Sequence, residues 1–209
     1  HKVYGEALAI LAGDALLTDA FTVLLSSKYP RQPKAEALLA AAAILSGRAG
    51  AGGMVSGQAA DLEAANFIRG KGKVSPARTK AGLSLLSYIH LHKTADLITA
   101  AVEMGAALAW APHKDFKVLS AFGREIGLVF QAADDILDVE GDKKKLGKSG
   151  SDARNNKLTY ASLLGVARAR RRAEKLLRRA LSLLEAVKGE PAAKEALAGI
   201  ARFIYGREN

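Results

Sequence analysis

Residues 130–138 read FQAADDILD, and this stretch determines how the rest of the chain is interpreted. On an α-helix, residues at positions i, i+3, i+4 and i+7 share one face. Gln131, Asp134, Asp135 and Asp138 occupy those positions, whereas the apolar residues between positions 122 and 137 lie on another side. The spacing predicts one helix over about 114–140 that presents three carboxylates together.

Three carboxylates on one face are unfavourable unless a cation joins them. Like charges four residues apart destabilise an exposed helix by roughly 0.2–0.5 kcal/mol per pair. Mg²⁺ reverses the sign of that interaction, and it commonly binds one or two carboxylates together with phosphates and water. The chain contains no cysteine, which excludes thiolate ligands and disulfides. The residues alone leave two interpretations: a Mg²⁺–diphosphate site, or an acidic solvated face with no ligand.

The residues that follow favour the first interpretation. Positions 141–152 read GDKKKLGKSGSD, and Arg154 and Lys157 come directly after them. Glycines make such a loop mobile, and lysines reach phosphate oxygens as flexible point charges. Solubility alone explains the lysines at 143–145 well, but it explains Lys148 and Lys157 less well.

The rest of the chain reads as helical. Alanine and leucine, both strong helix formers, dominate, and apolar residues recur at spacings of three and four with no sustained strand alternation. Glycine or proline lies in each segment between two predicted helices. We predict helices over about 3–27, 34–65, 78–110, 114–140, 157–188 and 191–206. No linker divides the chain, which predicts a single all-α domain.

Charge and hydropathy limit the partners. The net charge is +10, and seven cationic residues fall between Arg168 and Arg179 with no aromatic residue among them. That pattern is more typical of a solvated helix face than of a nucleic-acid surface. No stretch approaches the ~20 uninterrupted apolar residues of a membrane span, and positions 1–6 lack a signal-peptide pattern. We expect a cytoplasmic protein with no nucleic acid and no stable membrane anchor. A cationic helical protein that binds nucleic acid or membrane through Arg168–Arg179 is one alternative.

The carboxylate segment and its flank, GDKKKLGKSGSDARNNKLTY, resemble the second aspartate-rich motif of trans-prenyl diphosphate synthases, especially those of the bacterial farnesyl type. Three further segments fall in the order of that family: LAGDALLTDAF (11–21), GMVSGQAADLE (53–63) and YIHLHKTADLI (88–98). The resemblance implies an isoprenoid-synthase helical bundle with a central cavity. It also implies a prenyltransferase that condenses isopentenyl diphosphate with an allylic diphosphate by Mg²⁺-assisted ionisation. A terpene cyclase is a second alternative, but the lysine-rich loop at 141–152 argues against it.

The resemblance also implies roles for individual residues. Asp134, Asp135 and Asp138 would bind Mg²⁺, for which Mn²⁺ could substitute, and Asp61 would support the metals indirectly. Lys93, Thr94 and Asp134 would act in catalysis. The residues implied in substrate binding are Gln58, Lys93, Thr94, Gln131, Lys148 and Lys157. The histidines at positions 1, 90, 92 and 113 form no evident triad or metal spacing.

Two expectations concern organisation. The family carries a first aspartate-rich motif and a basic isopentenyl diphosphate segment upstream of the part that matches Tyr4–Phe21, and residues 1–209 contain neither. We therefore interpret 1–209 as a single helical prenyl synthase domain that lacks the family's N-terminal helices. Helices around Ala35–Ala60 and Leu83–Leu108 are apolar on more than one face, and a helix apolar all round must be buried. This pattern predicts a homodimer.

Overall fold

The computed structural model describes residues 1–26, 28–29, 31–68, 76–140 and 158–207. Within those ranges all regular structure is helical and no strand occurs, so the all-α prediction is confirmed. The helices are α1 (Glu6–Ser26), α2 (Ala35–Ala49), α3 (Met54–Ile68), α4 (Pro76–Ile89), α5 (Asp96–Leu108), α6 (His113–Glu140), α7 (Tyr160–Leu164), α8 (Val166–Glu185) and α9 (Pro191–Gly206). A π-helical turn, His90–Ala95, joins α4 to α5.

The prediction of one helix over 34–65 is wrong, because glycines divide this segment. Glycine loses more conformational freedom in a helix than any other residue, and positions 50, 52 and 53 are all glycine. The Gly50 N–H still donates to the Ser46 carbonyl at 2.9 Å, but the Gly53 N–H donates to the Gly50 carbonyl at 3.0 Å in a turn. Helix α3 therefore begins separately at Met54.

The segment predicted as one helix over 157–188 is also divided. Thr159 caps α7 by accepting a hydrogen bond from the Ser162 N–H at 3.0 Å, and the Ser162 hydroxyl side chain accepts from the Thr159 N–H at 2.9 Å. Gly165 then adopts φ +81°, which a residue with a Cβ rarely adopts. Helix α8 starts immediately after it. The periodicity of apolar residues continues across the break, so it did not reveal the turn.

The π-helical turn lies inside the predicted helix 78–110 and is held by two glycines. A Cβ at Gly57 of α3 would lie 2.0 Å from the Lys93 backbone nitrogen, and a Cβ at Gly127 of α6 would lie 2.4 Å from Ala95 Cα. Only glycine permits such close approach from both sides. Single π-turns inside α-helices are rare and are frequent at functional sites. The tight packing places Lys93 beside α3 and Thr94 beside α6.

Helix α6 is the centre of the bundle. It packs against α5, the π-turn, α8 and α9. One core cluster joins α3, α4, α6, α7 and α8 around Leu86, Ile136 and Tyr160. A second cluster joins α5, α6, α8 and α9 around Phe122, Ile126 and Leu184. Because α6 has neighbours on several sides, some of its polar residues are forced into the interior.

Helix α1 is peripheral, and Leu24 is its only buried residue. Two stretches have the length and composition of a membrane span. They are α1 itself, Glu6–Ser26, with a mean hydropathy of 1.8, and the stretch Ala35–Ala64, with a mean hydropathy of 1.4. The criterion of uninterrupted apolar residues missed the first because Asp14 and Asp19 interrupt it. Core helices of soluble proteins and segments near an N-terminus meet the same hydropathy criterion. The feature is therefore weak evidence for a membrane location.

Candidate active site

Two predicted site residues meet where the π-turn approaches α3. The Lys93 Nζ donates a hydrogen bond to Asp61 Oδ2, and both side chains remain about one quarter exposed. Gly57 allows this contact because it lies one turn before Asp61 and lets the two backbones approach. Gln58 lies on the same helix and is exposed. Lys93 thus offers a charged group at an accessible edge, paired with a carboxylate that an anion could replace.

The other side of the π-turn forms what we term the inner junction: Thr94, Gln131, Asp135, His90 and Tyr160. The Thr94 hydroxyl donates to Gln131 Oε1 at 2.8 Å, and Gln131 Nε2 donates to Asp135 Oδ1 at 3.1 Å. The second Asp135 oxygen, Oδ2, accepts from the Tyr160 N–H at 3.3 Å and lies 3.2 Å from His90 Nε2. Asp135 is 1% exposed. Its carboxylate therefore has partners on both oxygens and no access to solvent.

Asp134 belongs to a different environment, which we term the outer junction: Phe130, Asp134 and Arg207. Arg207 Nη2 lies 3.3 Å from Asp134 Oδ1 and 3.4 Å from the Phe130 carbonyl oxygen, and its guanidinium carbon lies 3.9 Å from the centroid of the Phe130 ring. The Asp134 side chain is 38% exposed. Among the described residues, Arg207 is therefore the cation that pairs with this partly exposed carboxylate.

Asp134, Asp135 and Asp138 of α6 do not form one cluster in the described structure. Asp134 faces Arg207, Asp135 faces His90 and Tyr160, and Asp138 is partly buried one turn later. In the part of the chain that is described, no three His, Asp or Glu side chains come together as a group that could hold a metal. Metal binding by these residues stays a prediction. Lys148 and Lys157 lie outside the described residues.

Three residues of these junctions were not anticipated: His90, Tyr160 and Arg207. Each has a partner on α6 that is distant in sequence, with separations of 25 residues for Tyr160–Asp135 and 73 for Arg207–Asp134. Local periodicity carries no information about such pairs. The only available signal was the Thr159–Ser162 capping pattern, which predicts a helix start at Tyr160 but not its contact with Asp135.

A second polar network joins α2, the π-turn and α5. Arg48 binds Glu103 through two hydrogen bonds, of 2.7 and 3.1 Å, and Asp96 through one of 2.6 Å. Burial lowers the pKa of the Arg48 guanidinium, but the hydrogen bonds to Glu103 and Asp96 outweigh burial, and the net pKa is raised. His92 Nδ1 lies 2.7 Å from Asp96 Oδ2. The network ties α2 to α5 next to Lys93 and Thr94.

Beside the outer junction lies an apolar cavity of about 810 Å³ between α5, α6 and α9. Leu97, Ile98, Phe130, Ile200 and Ile204 are among the residues that line it. Phe130 is shared, because one side of its ring carries the Arg207 guanidinium. A charged junction and an apolar chamber therefore meet at this residue.

Comparison with known proteins identifies relatives across nearly the whole chain. The family model described as polyprenyl synthetase matches residues 1–199. Farnesyl diphosphate synthase of Geobacillus stearothermophilus is 44% identical over 171 residues, which cover 81% of this chain and 53% of that protein. The enzyme of the same name from Bacillus subtilis strain 168 is 42% identical over 185 residues, covering 88% of this chain and 58% of that protein. The chain spans about half the length of these curated relatives.

A solved structure shows the same arrangement of helices. The geranyltransferase of Helicobacter pylori, complexed with magnesium and isoprenyl diphosphate, superimposes with a TM-score of 0.77 at 32% identity. The superposition covers 97% of this chain and 61% of that chain. Sequence and fold therefore point to the same group of proteins.

Proposed function

The chain belongs to the polyprenyl synthetase family, and from this premise we propose that the protein is a short-chain trans-prenyltransferase. It condenses isopentenyl diphosphate with an allylic diphosphate, dimethylallyl or geranyl, to give farnesyl or a similar short prenyl diphosphate. The observation that carries the proposal is the contact between Thr94 and Gln131, 37 residues apart. That contact joins the segment with Lys93 to the segment with the carboxylates of α6.

Lys93 and Thr94 are proposed to bind the allylic diphosphate. Lys93 is accessible and paired only with Asp61 among the described residues, so a diphosphate oxygen can compete for its ammonium group. Thr94 is held by Gln131 at 2.8 Å, which fixes where its oxygen lies. Gln58, Lys148 and Lys157 remain predicted substrate contacts. Asp61 orients Lys93 and would act on the metals only indirectly.

Asp134 and Asp138 are the residues proposed to hold Mg²⁺, or Mn²⁺ in its place. Asp134 fits because it is partly exposed and a divalent cation can replace its weak contact with Arg207. Asp135 does not fit, because both of its oxygens are already occupied by buried partners. We assign it instead to orienting Gln131. When bound, the metal supplies positive charge that stabilises the diphosphate leaving group.

The proposed assembly is a homodimer of one helical domain, located in the cytoplasm. The sequence pointed to Ala35–Ala60 and Leu83–Leu108 as the interface, but the larger uncovered apolar surface lies on α1. Leu8, Ile10, Leu11 and Leu16 of α1 are each more than half exposed. Sedimentation of the protein at high concentration tests this: a Leu16→Glu variant should shift it toward monomer, whereas a monomeric parent protein would exclude the dimer.

Calorimetry with inorganic diphosphate tests the proposed function. Diphosphate should bind appreciably only when Mg²⁺ is present, and Asp134→Asn should abolish the Mg²⁺-dependent component. Arg171→Gln, on the exposed face of α8, is the control that leaves this component unchanged. Incorporation of radiolabelled isopentenyl diphosphate provides the second readout. Equal affinity with and without Mg²⁺, or full affinity in Asp134→Asn, would contradict the proposal.

A further inference from the structure

An unusual backbone conformation occurs where α5 ends. The Trp110 N–H donates to the Ala107 carbonyl at 3.1 Å, and the Ala111 N–H donates to the Ala106 carbonyl at 2.9 Å. These two bonds form a Schellman motif, whose left-handed position is usually glycine. Here that position is Trp110, with φ +53°, and no other non-glycine residue in the described ranges has a positive φ. A bulky residue in this conformation costs stability, so the helix end alone does not explain a tryptophan there.

The Trp110 side chain contributes little to the core. It is 56% exposed, and Lys34 Nζ lies over the indole, 4.9 Å from the ring centroid. Strained residues that persist in a fold are concentrated at functional sites. An exposed aromatic residue held in a strained conformation beside a cation therefore indicates a binding surface.

The surface around this indole is positively charged. A surface pocket of about 720 Å³ lies between the segment after α1 and the end of α5, and its lining includes Tyr29, Arg31, Lys34 and Trp110. We term these four residues the basal face. No carboxylate is among the described residues that line the pocket. The flanking charges cancel, because two lysines stand against two acids: Lys28, Lys114, Glu36 and Asp115. The net charge of the region is therefore +2.

An exposed apolar side chain adjoins the basal face. The Tyr29 hydroxyl donates to the Leu24 carbonyl at 2.7 Å, which ties this face to the last turn of α1. Leu25, the next residue, is 51% exposed. The α1 leucines of the proposed dimer interface end at Leu16, about 13 Å away along the helix. The basal face therefore stays separate from that interface.

We propose that the basal face binds the surface of a lipid bilayer that contains anionic lipids. The indole of Trp110 is apolar but carries one N–H donor, which suits the boundary between headgroups and acyl chains. Arg31 and Lys34 reach lipid phosphates while their stems lie along apolar groups. A protein partner fits less well, because the cores of protein interfaces are depleted of lysine and Lys34 lies directly over the indole.

The proposed contact is peripheral and reversible. Two cations and two exposed apolar side chains provide only weak membrane affinity, which agrees with the proposed cytoplasmic location. Trp110 and Lys93 lie near opposite ends of α5, about 25 Å apart along the helix axis. A bilayer at the basal face therefore leaves the candidate active site open to solvent. The proposal goes beyond the proposed function and does not depend on it.

The fluorescence of Trp110 tests the proposal directly, because the chain contains one tryptophan. Vesicles of equal parts phosphatidylglycerol and phosphatidylcholine, at low salt, should shift the emission to shorter wavelength, and lipids brominated on the acyl chains should quench it. Vesicles of phosphatidylcholine alone should do neither. In co-sedimentation with the anionic vesicles, Arg31→Gln and Lys34→Gln should each lower affinity about fivefold. Trp110→Gly should lower it about tenfold or more.

Arg171→Gln is the matched control, because it removes one positive charge from the exposed face of α8. Its vesicle affinity should stay within about twofold of the parent. Trp110→Gly should melt at or above the temperature of the parent, since glycine accepts a positive φ without strain, and should keep the Mg²⁺-dependent diphosphate binding of the parent.

Four outcomes would overturn the proposal. Co-sedimentation without a change in Trp110 emission would show that another surface, such as α1 or Arg168–Arg179, contacts the lipid. Unchanged affinity in Trp110→Gly, or a loss in Arg171→Gln equal to that in Lys34→Gln, would show attraction by net charge alone. Absence of binding to the anionic vesicles would exclude a bilayer as the partner. A much lower melting temperature of Trp110→Gly would assign the indole to the fold.

Discussion

Asp134 and Asp135 are consecutive residues on one helix, yet the inner and outer junctions give them opposite properties. Asp135 is 1% exposed and has partners on both oxygens, whereas Asp134 is 38% exposed and meets one arginine from the end of α9. One residue of an α-helix rotates a side chain by about 100°. Because α6 is surrounded by other helices, that rotation moves a carboxylate from the core to an open edge. The pair shows that a carboxylate can serve structure while its neighbour remains available for a ligand.

The largest expected effect is a difference in the free energy of unfolding between variants of these two carboxylates. Asp135→Ala leaves the Tyr160 N–H, the Gln131 amide and His90 without their acceptor in the core, and should lower the free energy of unfolding by about 3 kcal/mol or more. Asp134→Ala breaks a partly exposed ion pair, and should cost less than about 1 kcal/mol. Urea unfolding measures both. Equal losses would show that the two junctions are not distinct.

The close approach that positions the inner junction provides the second test. Gly57→Ala places a methyl group 2.0 Å from the Lys93 backbone nitrogen, so the helices must separate, at a cost of roughly 1–3 kcal/mol. Gly105→Ala is the matched control. A Cβ there meets nothing within 4 Å, and alanine is the better helix former, so stability should rise by about 0.5–1 kcal/mol. Thermal unfolding of both variants decides whether backbone contact or glycine flexibility matters at Gly57.

A smaller effect isolates the hydrogen bond between the π-turn and α6. Thr94→Val keeps the shape of the side chain but removes the donor to Gln131 Oε1, and should destabilise the protein by about 1 kcal/mol. Thr18→Val, on exposed α1, removes a hydroxyl whose acceptor is the carbonyl four residues earlier. That control should change stability by less than about 0.5 kcal/mol. If both variants behave alike in urea unfolding, the Thr94–Gln131 contact contributes nothing specific.

The smallest effect concerns Glu125, another carboxylate of α6, which is buried like Asp135 but has one oxygen with no hydrogen-bond partner among the described atoms. Burial raises the pKa of this carboxyl, and Arg179 offsets part of the rise. A raised folded-state pKa gives stability that is present below the unfolded pKa of about 4.3 and is lost as pH rises through the folded pKa. Glu125→Gln should therefore be more stable than the parent at neutral pH, by less than about 1 kcal/mol.

That advantage of Glu125→Gln should shrink as the pH falls through the raised folded-state pKa of Glu125, and the pH-dependent part should be gone below the unfolded pKa of about 4.3, because the parent carboxyl is then neutral in both states. Unfolding of both proteins across this pH range measures the difference and cancels the groups they share. An advantage that grows toward acid pH would mean that Arg179 outweighs burial at this residue.

Local sequence signals were sufficient for the all-α fold class, for some of the helices and for the family. The helices predicted over 114–140 and 191–206 occur as α6 and α9, because a long amphipathic stretch with proline at a start leaves few alternatives. The motif segments identified the polyprenyl synthetase family before any contact was known. Periodicity failed where glycines interrupt a helix without changing its apolar pattern, at positions 50–53 and at Gly165.

The sequence by itself determined that α6 carries three aspartates within one stretch of helix, with Lys93 and Thr94 elsewhere in the chain. Only the tertiary structure decided which aspartate is buried, since that depends on α7, α9 and the π-turn, whose residues are far away in sequence. The π-turn is itself a tertiary feature, because it fits between Gly57 and Gly127. Helical spacing fixes which residues can share a face, but burial, and hence the strength of each charge interaction, depends on which other helices cover that face.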